Sequence, residues 1–113
     1  MPVDYSTFSD SDITLPKANG DIDHDVAFST PGVDNTKNGV LSFSVNPTSG
    51  TPTLEVQVNG TTVRTTTYAN NVQRVVQENI AQSILTTNNT LTLRVTGNGT
   101  VKVADAHMLF KAV

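Results

Sequence analysis

Residues 53–68, TLEVQVNGTTVRTTTY, carry the pattern that decides the fold. In the first half of this stretch apolar residues alternate with polar ones, as in a strand with one buried face. These apolar residues are Leu54, Val56 and Val58. The pair Asn59-Gly60 follows directly, and both residues accept the positive φ of a two-residue type I′ turn. The stretch therefore predicts a β-hairpin.

The length of that turn predicts which residues face each other across the hairpin. With two loop residues, Val56 faces Val63, and Glu55 faces Arg64 on the other side of the ribbon. This register predicts an ion pair between Glu55 and Arg64. Because the pair is exposed, it contributes at most ~1 kcal/mol to stability.

The same alternation recurs in other stretches bounded by Gly, Pro or Asn. Strands are predicted within DITLP (12–16), DVAFSTPG (25–32), VLSFSVNP (40–47) and TLTLRVTG (90–97). In the final stretch, TVKVADAHMLFKAV (100–113), the apolar residues change parity, which predicts a bulge or bend at Ala104-Asp105. Short strands with one apolar face each are typical of antiparallel sheets, and they predict an all-β sandwich.

Residues 72–85 admit two interpretations. The first is one amphipathic helix, because aliphatic residues recur at every fourth position from Val72 to Ile84. The second divides the stretch into a strand, VQRVVQ, and one or two helical turns capped by Asn79. We favour the division, because β-branched residues are dense in VQRVV. The predicted fold is thus an antiparallel β-sandwich of jelly-roll type with one short helix near residues 79–86.

Size and composition restrict the class of protein. A chain of 113 residues predicts one domain with one core, in which residues 1–25 form an acidic N-terminal segment that packs on the sandwich or extends it. The absence of cysteine excludes a disulfide framework. Seven scattered basic residues and a net charge of -3 argue against nucleic acid as a partner. No apolar run approaches the ~20 residues of a membrane span, and no signal peptide is visible.

The C-terminal part, residues 72–113, resembles galactose-binding-like jelly-roll domains, such as the sugar-binding domains attached to many glycoside hydrolases. The similarity is clearest in NIAQSILTTNNTLTLRVTGNGTVKVADAHMLF (79–110). The matching positions are Ile84, Leu85, Asn89, Thr90, Leu91, Leu93, Val95 and Asp105. The resemblance implies a jelly-roll fold and a sugar-binding function. It also implies that a structural calcium ion is a candidate cofactor, because such domains often hold one.

Acidic residues near the N-terminus are the candidate metal ligands. In NGDIDHD, Asp21, Asp23 and Asp25 stand at every second position, and carboxylates at this spacing are able to converge on Ca²⁺ from a loop. The alternative is a solvated acidic loop without a metal. His107, in the last predicted strand, is expected to be an ordinary strand residue.

No pattern in the chain is typical of an enzyme. There is no GxSxG or equivalent nucleophile motif, and no pair of glutamates suits glycoside hydrolysis. The polar faces of the strands instead predict a binding surface. A sugar site would need an aromatic ring, and with no tryptophan in the chain the candidate rings are Tyr68 and Tyr5. The candidate ligand-binding residues are Tyr68, Arg64, Glu55 and Arg94.

Two functions remain after this reading. The first is a non-catalytic binding module for carbohydrate or a glycan-bearing surface. The second is a structural subunit of a virion or surface appendage, such as a capsid decoration or a fibre component, acting through protein contacts. An extracellular or virion-associated location suits both. A binding module should be a monomer with a polar groove, whereas an assembly subunit should form a symmetric homo-oligomer through an apolar patch or a strand edge.

Overall fold

The computed structural model describes residues 3–9, 12–69 and 72–112, and these form nine β-strands in two antiparallel sheets. The strands are β1 (Val3–Ser9), β2 (Ile13–Leu15), β3 (Asp23–Ser29), β4 (Gly39–Gly50), β5 (Thr53–Val58), β6 (Thr61–Thr67), β7 (Arg74–Ile80), β8 (Asn88–Thr96) and β9 (Gly99–Lys111). The all-β class predicted from the alternating patterns is confirmed. No helix long and apolar enough to cross a membrane is found among the described residues.

The two sheets differ in size and strand order. In the five-stranded sheet, β9 and β4 are central and β7 is one edge, while β1 and β2 pair one after the other along the remaining side of β9. The four-stranded sheet has the order β3-β8-β5-β6. Neighbouring strands within each sheet are mostly distant in sequence, so the fold depends on long-range pairing.

The core lies between the two sheets and consists of the residues that the alternation places inward. Each predicted strand contributes buried residues, and the phenylalanines of the predicted strands, Phe28, Phe43 and Phe110, are all buried. The other large buried side chains include Leu15, Leu41, Val45, Leu54, Val56, Val58, Tyr68, Ile80, Leu91, Leu93, Val95, Val101, Val103 and Met108. Packing of these side chains is the main source of stability in a chain that has no cysteine.

The predicted hairpin is present, but its register is not the predicted one. Asn59 and Gly60 have φ of 52° and 83°, as the turn requires. A bulge then shifts the pairing between Val56 and Gln57, so that Arg64 lies opposite Val56. Glu55 faces a threonine of β6, not Arg64, and the predicted ion pair is wrong. One extra residue in β6 reverses which side chains of that strand point inward.

The predicted short helix near residues 79–86 is wrong. Strand β7 continues to Ile80, which pairs with Gly39 of β4. A tight turn follows, in which Ser83 has a φ of 76° and donates its backbone N–H to the Asn35 carbonyl at 2.7 Å. The strand forms because pairing with β4 satisfies the backbone hydrogen-bonding groups of residues 74–80. A helix that began at Asn79 would take residues 79 and 80 out of this pairing. The strand predicted at VQRVVQ (72–77) is confirmed from Arg74 onward.

The bulge predicted at Ala104-Asp105 is confirmed. Pairing between β4 and β9 shifts at this point, since Ser44 lies opposite Ala104 whereas Ser42 lies opposite His107. Asp105 has a φ of 54°, in the left-handed region that residues other than glycine rarely adopt. Residues on both sides of the bulge reach the core, with Val103 before it and Ala106 after it.

Candidate functional site

Three adjoining depressions lie along β4 on the outer face of the five-stranded sheet. Their volumes are about 260, 280 and 220 Å³. They follow one another along the strand, at Ser44 and Asn46, then at Ser42, then at Val40 and Asn38. We call this row of depressions the β4 groove.

Differences in side-chain size between neighbouring strands produce the β4 groove. The outward residues at the middle of β4 are small, Ser42 and Ser44, and Ala104 lies beside Ser44 on β9. Longer side chains flank them on β7 and on the rest of β9. Since outward side chains stand roughly perpendicular to a sheet, short residues on a central strand leave a channel between taller neighbours.

The central depression is lined by Ser42, Gln77, His107 and Leu109. Ser42 pairs with Gln77 on one side and with His107 on the other, so the three side chains lie in one row across the sheet. Leu109 is 40% exposed and provides an apolar wall beside these polar groups. This depression therefore combines a hydroxyl, an amide, an imidazole and an aliphatic surface, none of which carries a fixed charge.

One end of the groove is polar and contains charges of both signs. It is lined by Asp12, Ser44, Asn46, Gln73, Lys102, Ala104 and Asp105. The Gln73 amide donates from Nε2 to Oγ of Ser44 at 3.1 Å, which holds the glutamine side chain across the sheet. Two carboxylates and one ammonium group at this end give it no single-sign field.

The other end is lined by Asn38, Val40, Leu109, Phe110 and Lys111. The side chain of Asn38 is oriented by the following turn, because its Oδ1 accepts the Gln82 backbone N–H at 2.8 Å. Leu109 lines this depression and the central one, which makes the two continuous.

The bulge at Asp105 is what turns the walls of the groove outward. Val101 and Val103 point into the core, and a regular strand would carry that parity on to residues 105, 107 and 109. The extra residue shifts the parity, so that Met108 is buried while His107 and Leu109 face the outer surface. The parity change that is visible in the sequence thus determines which side chains line the groove.

Two of the residues predicted to bind ligand, Glu55 and Arg94, lie on the outer face of the other, four-stranded sheet. They are direct neighbours across β5 and β8. Arg94 Nη2 lies 3.4 Å from Oδ2 of Asp23, and Glu55 Oε2 accepts the Thr62 hydroxyl at 2.9 Å. The hydrogen bond from Thr62, followed by the one from Gln57, lowers the pKa of Glu55 below its ordinary value. Their polar groups are therefore already engaged with neighbouring side chains.

The other two predicted residues, Arg64 and Tyr68, do not lie on that face. The bulge in β6 turns Arg64 toward the edge of the sandwich, where its Nη1 lies 3.4 Å from Oε1 of Glu78 on β7. Tyr68 is only 1% exposed, so its ring is not available as a stacking platform. The Arg74 guanidinium lies 5.3 Å from the centre of the Tyr68 ring and covers it. The side chain of Tyr5, the alternative ring, lies outside the described residues.

The three aspartates predicted as metal ligands are not brought together. Asp25 accepts the Thr92 hydroxyl at 2.8 Å, Asp23 pairs with Arg94, and Asp21 accepts the Asn19 amide at 3.2 Å. Within residues 12–69 and 72–112, no group of three acidic, histidine or cysteine side chains is placed to hold a metal ion. Alternation along β3 explains this, because Asp23 and Asp25 lie in an extended strand beside β8 and not in a loop that could wrap around an ion.

Sequence reasoning did not identify the groove residues Gln77 and His107. Each is an ordinary outward residue of its strand, and only the strand order brings them to either side of Ser42. A usable signal was present in VLSFSV, where both outward positions are serine. Small outward residues on a strand that turns out to be central indicate a channel.

No protein-family model matches the chain, and no curated protein is significantly similar to it. Solved structures do match. Dimeric latent PorU from Porphyromonas gingivalis superposes with a TM-score of 0.73 and 10% identity over 97% of this chain, which covers 12% of PorU. BuGH86, in complex with neoagarooctaose, gives a TM-score of 0.70 and 19% identity over 95% of this chain and 18% of its own. A family 35 carbohydrate binding module from Clostridium thermocellum gives a TM-score of 0.59 and 10% identity, covering 96% of this chain and 99% of the module.

Carbohydrate-binding modules of families 36, 22 and 6 are also among the matching structures. The chain is thus about as long as a whole family 35 module and corresponds to a small part of PorU and of BuGH86. At these identities the similarity is one of fold. The resemblance to galactose-binding-like jelly-roll domains that the C-terminal sequence indicated is confirmed at that level.

Proposed function

We propose that the chain is a non-catalytic carbohydrate-binding module and that its ligand lies in the β4 groove. The observation that carries this proposal is the central depression, in which Ser42, Gln77 and His107 line up across three strands beside the exposed Leu109. The sandwich fold shared with carbohydrate-binding modules supports it.

The chemistry of the groove suits a sugar. A pyranose ring presents hydroxyl groups at its edge and C–H groups on its faces, so a site needs hydrogen-bonding groups around a small apolar surface. Gln77 offers both a donor and an acceptor, Ser42 offers a hydroxyl, and the Leu109 side chain provides the apolar contact. Among the described residues, the Gln77 and Ser42 side chains have no hydrogen-bond partner, so their capacity is available to a ligand.

No tyrosine or tryptophan is among the described side chains that line the groove, and without such a platform binding is expected to be weak. Aromatic rings add roughly 0.5–1.5 kcal/mol per stacked pair beyond the area that they bury. An aliphatic wall such as Leu109 does not supply this contribution. We therefore expect dissociation constants for short glycans to lie in the micromolar to millimolar range, as for other small, solvent-exposed sites.

The assembly-subunit alternative has one structural feature in its favour. Edge strand β7 has an exposed valine, Val75, at 72% exposure, and Val72 just before the strand is 56% exposed. An unpaired edge with apolar side chains is a surface on which a second copy could add a strand. A symmetric oligomer that persists on dilution in light scattering would favour this alternative over a monomeric binding module.

A glycan array probed with the purified, labelled chain tests the proposed function. The chain is expected to bind at least one class of oligosaccharide, and isothermal titration should confirm the affinity in solution. The Ser42→Phe variant, which fills the central depression, is the matched probe and should lose the signal. An array without signal, or a signal that Ser42→Phe retains in full, would overturn the proposal that the groove binds carbohydrate.

A further inference from the structure

We infer that the ligand of the β4 groove is an internal segment of an extended, uncharged glycan chain that runs parallel to β4. This inference rests on the proposed function and specifies the class of carbohydrate. It is carried by the length of the groove, its position on an exposed sheet face and the distribution of charge along it.

The length of the groove exceeds that of one sugar ring. Its floor extends from Val40 to Asn46, and six residue steps in a strand correspond to roughly 20 Å. The three depressions of about 260, 280 and 220 Å³ lie in sequence along this floor. A row of similar depressions suits a polymer with a repeated unit better than a single compact ligand, which would need one deeper pocket.

The row of depressions also favours binding of sugar units within the glycan chain, not at its end. Hydrogen-bonding side chains are spread along the groove, with Gln73 and Asn46 at one end, Gln77 at the centre and Asn38 at the other end. A site for a chain terminus would instead concentrate its polar groups around one closed pocket. Gln73 and Asn38 are each held by a hydrogen bond, to Ser44 and from Gln82 respectively, so both ends are preorganised.

The charges favour an uncharged chain. The described residues that line the central depression contribute no carboxylate, ammonium or guanidinium group. At one end Lys102 is accompanied by Asp12 and Asp105, and at the other end Lys111 is the only charged residue among the described ones that line the depression. An acidic glycan would need cationic groups at each unit, and the two aspartates would repel it.

The experiment is an affinity series by isothermal titration with the full chain. The neutral probes are xylo-oligosaccharides and neoagaro-oligosaccharides of increasing length, up to the hexasaccharide or octasaccharide, and the acidic probe is an oligogalacturonate series. For a neutral series that binds, affinity should rise at least about tenfold from the disaccharide to the longest member, equivalent to ~1.4 kcal/mol. The affinity should change less than about twofold between low and high salt, because no net charge pairs are formed.

Two further measurements distinguish binding of an internal segment from binding of a chain end, and show where the additional sugar units of the longer probes lie. Bulky groups attached to both ends of the longest neutral probe should leave its affinity unchanged. The Asn46→Ala variant should weaken the longest probe severalfold and leave the disaccharide unaffected.

The inference is overturned if a monosaccharide or disaccharide binds as tightly as the longest member, if end groups abolish binding, or if the oligogalacturonates bind best and are released by salt. Each of these outcomes leaves the carbohydrate-binding proposal intact. Failure of every glycan to bind would instead overturn the proposed function itself.

Discussion

The outer faces of the two sheets are both formed by the polar residues of alternating strands, but they differ in how far these side chains bind one another. Both arise from strands whose alternate residues are polar, and both contain serines, threonines, glutamines and charged residues. On the four-stranded sheet the polar groups bind one another. Thr62 and Gln57 donate to Glu55, and Thr92 donates to Asp25. On the five-stranded sheet, small residues on a central strand leave a groove in which the Ser42 and Gln77 side chains have no hydrogen-bond partner among the described residues.

This difference shows that a polar sheet face does not by itself predict a binding site. Hydrogen-bonding capacity contributes to ligand binding only where neighbouring side chains have not already used it, since folded groups and a ligand compete for the same donors and acceptors. On β5, Gln57 donates to Glu55 two residues away on the same strand. Ser42 and Gln77 are paired across β4 and β7, and among the described residues their side chains make no hydrogen bond to each other.

The largest effect is expected from filling the groove. The Ser42→Phe variant places a ring where the central sugar unit would lie, and glycan affinity should fall at least about a hundredfold, or ~2.7 kcal/mol. Thr92→Phe is the matched control, because Thr92 is an outward residue of a central strand in the other sheet. Its affinity should equal that of the natural chain in the same titration. Equal losses in both variants would mean that the two faces do not differ in function.

Removing one hydrogen-bonding amide should have a smaller effect. Gln77→Ala deletes a groove side chain and should weaken glycan binding about tenfold, because a hydrogen bond to a ligand is worth ~1 kcal/mol or somewhat more. Gln57→Ala deletes the same chemical group from the four-stranded sheet, where it donates to Glu55 at 3.3 Å. That variant should bind normally. The comparison fails if Gln57→Ala is the weaker binder in isothermal titration.

Tyr68 tests whether a buried ring between the two faces takes part in binding. Its hydroxyl is buried and has no hydrogen-bond partner in the part of the chain that the structure describes. Tyr68→Phe should therefore leave glycan affinity unchanged and raise the free energy of unfolding by up to about 1 kcal/mol, since an unsatisfied polar group is removed from the core. Chemical denaturation measures the second quantity. A loss of affinity without a loss of stability would return Tyr68 to the binding site.

The smallest expected effect concerns the titration of Glu55. Its pKa is lowered chiefly by the Thr62 hydroxyl, so Thr62→Val should raise the pKa of Glu55 toward its ordinary value without altering glycan binding. Because the pKa in the folded state is lowered, the stabilisation is present above the pKa of the unfolded state and is lost as the pH falls through the folded value. Carboxyl NMR titration of both chains measures the shift. An unchanged pKa would show that the polar groups of this face are not engaged as described.

Much of the fold could be predicted from local pattern, and one local feature explains most of the errors. Local pattern identified the strands other than β1, the Asn59-Gly60 turn and the parity change at Asp105, because these features depend on neighbouring residues only. The bulge in β6 left no comparable trace in the sequence. It reversed the parity of that strand, and this reversal moved Arg64 to the sandwich edge and Tyr68 into the core.

The prediction of the short helix was wrong, and the groove was not predicted, for a different reason. Residues 79–86 were assigned to a helix from their own spacing, but pairing of Ile80 with Gly39 outweighs local preference. The groove depends on β4 lying between β7 and β9, which are separated from it by long stretches of chain. Serine at two outward positions could suggest a channel only once the neighbours were known.

The most direct test of the account is a titration of the ¹⁵N-labelled chain with the glycan that gives the strongest array signal. Amide shifts map where the glycan binds on the molecule without any substitution. If the glycan lies in the β4 groove, the largest shifts cluster at Ser42, Gln77 and His107, and the amide resonances of β3, β5 and β8 do not shift. Shifts confined to those three strands, or to the loops at residues 30–38 and 81–87, would contradict it.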